Sequence, residues 1–146
     1  MSLFKHILVA LDLSEQSSAV LNKANTIAQQ NKAKITVVHV VEPIIEPVNY
    51  AYDGNISVDL IPLQDEVENS AKKKLNELAT PLGILNTSQI VPFGRPADEV
   101  HRVAKENNCD LIIVGSHGRH GLGLLLGSTA NAVLHGATCD VLAVRV

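Results

Sequence analysis

Aromatic residues are nearly missing from this chain. It has two phenylalanines, two tyrosines and no tryptophan among 146 residues. That scarcity excludes the stacking platforms that single-stranded nucleic acid binders use, and it leaves Val, Ile, Leu and Ala to build the core. Charge of one sign is lacking too: the net charge is −3 and the basic residues are scattered. Electrostatic capture of DNA or of an anionic membrane surface is thereby disfavoured. There are only two cysteines, Cys109 and Cys139, and no CxxC pair, so a zinc ribbon or thioredoxin-type motif is excluded and reduced, buried thiols are expected. No stretch approaches the roughly 20 apolar residues of a membrane span. The N-terminal "FKHILVALDLSEQ" does not read as a secretion signal, because its apolar run is short, Asp12 interrupts it and no small-residue cleavage site follows. The expectation is a cytoplasmic protein with no membrane or nucleic-acid partner. No internal repeat or low-complexity tract is visible, and the length suits one domain over residues 1–146, large enough to bury a core without disulfides or metal.

What the chain does have is alternation. Five short β-branched or aliphatic runs stand out: "HILVAL" (6–11), "KITVVHVV" (34–41), "SQIVPF" (88–93), "DLIIVGS" (110–116) and "DVLAVRV" (140–146). The first four are almost continuously apolar, as strands covered on both faces are. Helical spacing separates them. Val20, Leu21, Ala24, Ile27 and Ala28 share one face of a first helix, with Ser14 as its expected N-cap and Glu15 in its first turn. A second helix is expected from about Asp59 to Leu82, with Leu63, Val67, Ala71, Leu75 and Leu78 as its stripe. The third opens "GRPADEV", where Pro96 suits the first helical position and Asp98 and Glu99 suit the positive end of the dipole. The fourth starts at Ser128 or Thr129 and is expected to bury Ala130, Val133, Leu134 and Ala137. The order β-α-β-α-β-α-β-α-β predicts a parallel sheet with right-handed crossovers, a doubly wound α/β sandwich of Rossmann-like or flavodoxin-like type. The connection over 42–58 is too long for a simple turn and is read as a cover or a moving segment.

Ligands in such sheets bind beyond the carboxyl ends of the strands. That rule selects the loop after the first run, the loop after the second, and "GSHGRHGLGLLLGST" (115–129). In the last, Gly115 and Gly118 are read as positions that take positive φ or let a ligand touch the backbone. Gly127 and Ser128 fall where the fourth helix begins, so its unpaired amides and dipole make an anion site, to which the Ser128 and Thr129 hydroxyls add donors. The stretch lacks the GK[ST] of a P-loop and the position of a dinucleotide fingerprint. Ser128 also has a plainer reading as a helix cap worth about 1 kcal/mol. Asp12 reads either as a ligand-facing carboxylate or as a loop anchor. His117, Arg119 and His120 read either as a solvated loop or, through Arg119, as a phosphate contact. His117 and His120 have no third ligand nearby in sequence, so a metal site is not expected. His39 is placed inside a strand as a structural residue, and Arg95 lies at the ligand end of the sheet.

Taken together, "KHILVALDLSEQS", "VVHVVEP", "GRPADEV", "CDLIIVGSHGRHGLGLLLGST" and "ATCDVLAVRV" resemble the universal stress protein (UspA domain) family over essentially the whole chain, with only residues 42–86 matching loosely. The resemblance implies a three-layer sandwich around a five-stranded parallel sheet of strand order 3-2-1-4-5. It also implies a homodimer through the C-terminal edge strand, as an apolar edge strand itself suggests. One branch of the family binds ATP or AMP through a Gly-2x-Gly-9x-Gly-Ser/Thr pattern, which maps onto Gly115, Gly118, Gly127 and Ser128. Its nucleotide-facing aspartate maps onto Asp12 and its adenine-contacting valine onto Val40. The implied nucleotide site is Ala10, Leu11, Asp12, Val40, Gly115, His117, Gly118, Arg119, Gly127, Ser128 and Thr129, with ATP or AMP as ligand, with or without Mg²⁺. Eight residues, not nine, separate Gly118 from Gly127, so the loop is one residue short of the pattern. Three functions follow: a nucleotide-binding regulatory stress module, a dimeric stress protein acting through protein contacts alone, or a slow ATP hydrolase. The last lacks a placed base or metal cluster in the sequence.

Overall fold

A computed structural model describes residues 2–43, 61–116 and 126–146. Strands β1 (His6–Ala10), β2 (Lys34–Val38), β3 (Gln89–Ile90), β4 (Leu111–Gly115) and β5 (Asp140–Val144) alternate with helices α1 (Ser17–Asn31), α2 (Ile61–Ala79), α3 (Pro96–Glu106) and α4 (Ser128–Gly136). All neighbouring strands pair in parallel, in the order β3-β2-β1-β4-β5. This is the architecture and strand order expected from the sequence.

Strand residues alternate between two apolar layers, because successive side chains leave opposite faces of a strand. Ile7, Val9, Val37, Leu111 and Ile113 meet α1 and α2 through Val20, Leu21, Ala24, Ala28, Leu75 and Ala79. Leu8, Val38, Ile112 and Val114 meet α3 and α4 through Val100, Val103, Ala104, Ala130 and Val133. Both faces of the sheet are therefore covered, which is why the inner strands read as unbroken apolar runs.

Several expected boundaries shift, each for a local reason. The third run yields only Gln89–Ile90 as strand, since Pro92 has no N–H to donate. Pairing resumes beyond it as a Val41–Phe93 bridge, with Val41 N–H donating to the Pro92 carbonyl at 2.9 Å. Ser14 is not the N-cap of α1, and Glu15 is not in its first turn. Gln16 occupies the cap position without a side-chain hydrogen bond, because Ser14 is drawn into a turn around Asp12. On α2, Ala71, Leu75 and Ala79 are buried, whereas Leu63 and Val67 are exposed. The helix stops at Ala79 and a 3₁₀ turn carries the chain to Leu82. Leu134 of α4 is half exposed rather than buried and Ala137 is only partly covered. On α3, Pro96 holds the first turn and Asp98 and Glu99 sit in it, as expected. The segment 44–60, most of the long connection, lies outside the described residues.

A side-chain contact fastens α3 to α4. His101 of α3 donates from Nε2 to the Val133 carbonyl at 2.7 Å. The ring lies so close to Gly136 that a Cβ there would stand 2.4 Å from its Cε1, so glycine is the residue that admits it. Cys109 and Cys139 are free thiols, the first buried and the second partly so. Burial, reinforced by the nearby charges of Cys139 and Asp110, pushes the Cys109 thiol up to about 12; it stays protonated and unreactive at neutral pH.

Asp110, just before β4, accepts the Lys5 N–H at 2.9 Å and the His6 N–H at 3.1 Å, tying β4 to β1. Burial disfavours its charge, but these backbone donors outweigh burial and hold the carboxyl below its ordinary range. A carboxyl lowered on folding stabilises above its unfolded-state value, and that contribution disappears as pH falls through the folded-state value. Asp110→Ala should therefore lower the urea midpoint at pH 7, with the gap to wild type narrowing below about pH 4. A gap that persists unchanged at pH 3 would show that the charge contributes nothing.

Candidate functional site

Strands β1 and β4 are neighbours, but their following connections run to opposite layers, to α1 and to α4. The loops part at their carboxyl ends and leave a cavity of about 610 Å³. Its walls include Ala10, Leu11 and Asp12 after β1, His39, Val40 and Val41 after β2, Gly115 at the end of β4, and Ser128, Thr129 and Ala130 at the start of α4. Eight of the eleven residues expected to form the nucleotide site thus touch or adjoin one hollow. Gly127 immediately precedes α4, as its cap. The remaining three, His117, Gly118 and Arg119, lie outside the described residues.

Asp12 is held by its own loop. One carboxylate oxygen, Oδ1, accepts the Ser14 N–H at 2.9 Å and the Ser17 hydroxyl at 3.2 Å. Ser17 is buried, and the carboxylate supplies the acceptor that a buried hydroxyl requires. Anchoring through Oδ1 leaves Asp12 at the cavity wall with a fixed bearing.

Across the cavity stands the beginning of α4. Gly127 has φ −67° and ψ 160°, and no side chain caps the helix. That backbone is open to any residue, so glycine's contribution here is the missing side chain, not unusual φ. Gly115 likewise sits in the β-ladder, paired with Val144, without positive φ, which leaves close backbone approach as the other of its two readings. The Gly127 N–H donates to the Ser116 carbonyl at 2.6 Å, and the Ser116 N–H donates to the Val144 carbonyl at 2.8 Å. Buried Ser116 thereby clasps the chain where it leaves β4 to where it enters α4, and the Val146 N–H adds a bond to its hydroxyl at 3.3 Å. The first amides of α4 have no acceptor within the helix and carry the positive end of its dipole.

Charge divides the cavity. Among the described residues lining it, the charged ones are Asp12 and Glu42, both acidic. The carboxylates repel an anion, and the amides at the start of α4 attract one. Between the two, Val20, Val38, Val40, Val41, Val67, Val100 and Val114 line the wall with apolar surface, suited to a flat, weakly polar ring. Pro96 of α3 also lines the cavity, whereas exposed Arg95 does not.

A family model described as the universal stress protein family matches residues 3–145. The chain belongs to the universal stress protein family. Among its relatives, universal stress protein A homolog 1 of Coxiella burnetii is 45% identical over 142 residues, covering 97% of this chain and 96% of that protein. The UspA structure from Lactobacillus plantarum superposes with a TM-score of 0.75 at 25% identity, covering 97% of each chain. A universal stress protein crystallised in complex with cAMP superposes with a TM-score of 0.65, also at 25% identity and covering 97% of each chain.

Sequence reasoning missed three residues that shape this universal stress protein cavity. Ser17 was given no role, although serines two and five residues after an aspartate are a signal of a carboxylate-centred loop. Ser116 had no signal beyond its place at a strand end. His39 was placed inside a strand; it stands one residue past β2, in the cavity wall, donating from Nδ1 to the Leu11 carbonyl at 2.8 Å.

The Asp12 geometry separates anchoring from ligand contact. Asp12→Asn keeps an Oδ1 acceptor for Ser14 and Ser17 and should change stability little. Asp12→Ala removes it and should cost about 1–2 kcal/mol in urea unfolding. Equal losses for both variants would mean that the charge, not the acceptor geometry, holds the loop.

Proposed function

We propose that this universal stress protein is a cytoplasmic, single-domain regulatory module that binds an adenine nucleotide, ATP or AMP, with or without Mg²⁺. The observation that carries the reading is the uncapped start of α4 facing the anchored Asp12 across a valine-lined cavity. In this reading, Ser128, Thr129 and the first α4 amides receive phosphate, with Gly115, Gly118 and Gly127 permitting close approach. Asp12, with Ala10 and Leu11, faces ribose and base, and Val40 contacts adenine. His117 and Arg119 belong to the phosphate loop. The acidic end of the cavity favours this direction of binding, since a phosphate near Asp12 would be repelled. A related universal stress protein in complex with cAMP adds support from a ligand of the same chemical class.

Thermal melting tests the reading. A ligand at 100 times its Kd stabilises by about 2.7 kcal/mol, which for a domain of this size raises Tm by about 5–10 °C. AMP, ATP and Mg-ATP are each titrated to millimolar concentration, and Gly127→Val should abolish the rise while leaving the ligand-free Tm near wild type. A flat response to all three overturns the reading and leaves the alternative, a dimeric stress protein acting through protein contacts alone, which the one-residue shortening of the glycine loop favours.

The same proposal includes a homodimer along β5. This strand is at the sheet edge, with Leu142 and Ala143 exposed, and an unpaired apolar edge is a template for a second copy. Light scattering should give the dimer mass for the wild type and the monomer mass for Leu142→Arg. A wild-type monomer at high micromolar concentration contradicts it.

A further inference from the structure

The loop that carries Asp12 is bent through an unfavourable conformation. Leu13 has φ 59°, in the left-handed region that non-glycine residues enter at a cost. Such a residue persists only where its surroundings over-determine it. Part of the restraint is local, in the bonds from Ser14 and Ser17 to Asp12. The rest acts on Leu11, immediately before Asp12. Its N–H donates to the Val38 carbonyl at 2.9 Å, a continuation of the sheet pairing. Its carbonyl accepts from the His39 ring at 2.8 Å. A carbonyl has no proton to give, so Nδ1 carries it. The backbone that carries the ring is itself tied to β3, because the main-chain N–H of His39 donates to the Ile90 carbonyl at 3.0 Å.

Fixing the Leu11 carbonyl fixes the whole plane of the Leu11–Asp12 peptide, since that unit is rigid. The plane sets the direction in which Asp12 leaves the backbone. We infer that His39 is a positioning residue: through the Leu11 carbonyl it holds the Asp12 loop in the bent form that presents the carboxylate to a ligand. Its place in the cavity wall next to Val40 puts this clamp between the two loops that the nucleotide reading assigns to adenine and ribose. The effect on ligand rests on that reading; the effect on the loop does not.

Three substitutions in the full chain separate positioning from plain core filling. The side-chain amide of His39→Asn can place a donor where Nδ1 stands. His39→Gln reaches further, toward the Nε2 position, and His39→Ala places none. Amide exchange followed by NMR without ligand should show the Ser14 amide, bonded to Asp12, exchanging about tenfold faster in the Ala and Gln variants, and within about threefold of wild type in Asn. Calorimetry with AMP should show the same order, with affinity about tenfold weaker for Ala and Gln and largely restored in Asn. If Ala does not fold, the comparison of Asn with Gln decides. Unchanged exchange at Ser14 in Gln, or an Asn variant as disturbed as Gln, overturns the inference. Absence of heat from wild type with AMP counts against the nucleotide reading, while the exchange result still decides the role of His39.

Discussion

Two adjacent parallel strands, β1 and β4, hand the chain to opposite faces of the sheet, and nearly every feature of the cavity follows from that divergence. Right-handed crossovers leave no other course once the strand order is β3-β2-β1-β4-β5. The β1 connection turns toward α1 and brings Asp12 with it. The β4 connection returns to α4 and brings Gly127 and Ser128. What remains between them is a cavity lined by Ala10, Val38, Val114 and Gly115 of the inner strands.

Electrostatics then gives the gap a direction. The start of α4 supplies partial positive charge from backbone amides, and the opposite wall supplies carboxylates. Backbone donors do not titrate near neutral pH and are fixed by the helix to which they belong. Their strength depends on exclusion of water, for which the surrounding valines are well suited. Ser116 and Ser17 serve as the two hinge pins of this arrangement, one clasping β4 to the entrance of α4 and the other bracing the Asp12 carboxylate.

The pattern of strands, the helix-start chemistry of Pro96, Asp98 and Glu99, and the loops at the carboxyl ends were legible because each rests on local periodicity or on one dominant residue type. Membership in the family was legible from motifs spread along the chain. Pro92 could have been read more strictly, since its missing N–H cuts β3 to two residues. Leu63, Val67 and Leu134 carry the right spacing for burial but extend past the area their neighbours cover, and coverage is a tertiary quantity that periodicity does not report. Ser14 failed as a cap because the helix begins at Ser17, and the Ser14 hydroxyl reaches only the Gln16 N–H, at 3.4 Å. His39 was illegible as a clamp: its partner, Leu11, is 28 residues away and offers only a backbone carbonyl, a group that every residue carries.

The central claim is that the first amides of α4 receive the negative charge of an adenylate whose other end meets Asp12. An NMR titration of isotopically labelled protein with AMP reads both ends at once. The account expects the amide signals of Ser128, Thr129 and Ala130 to shift in step with those of Asp12 and Val40, along one saturating curve. Signals at these positions that stay fixed while others move, or that stay fixed throughout at millimolar AMP, would contradict it.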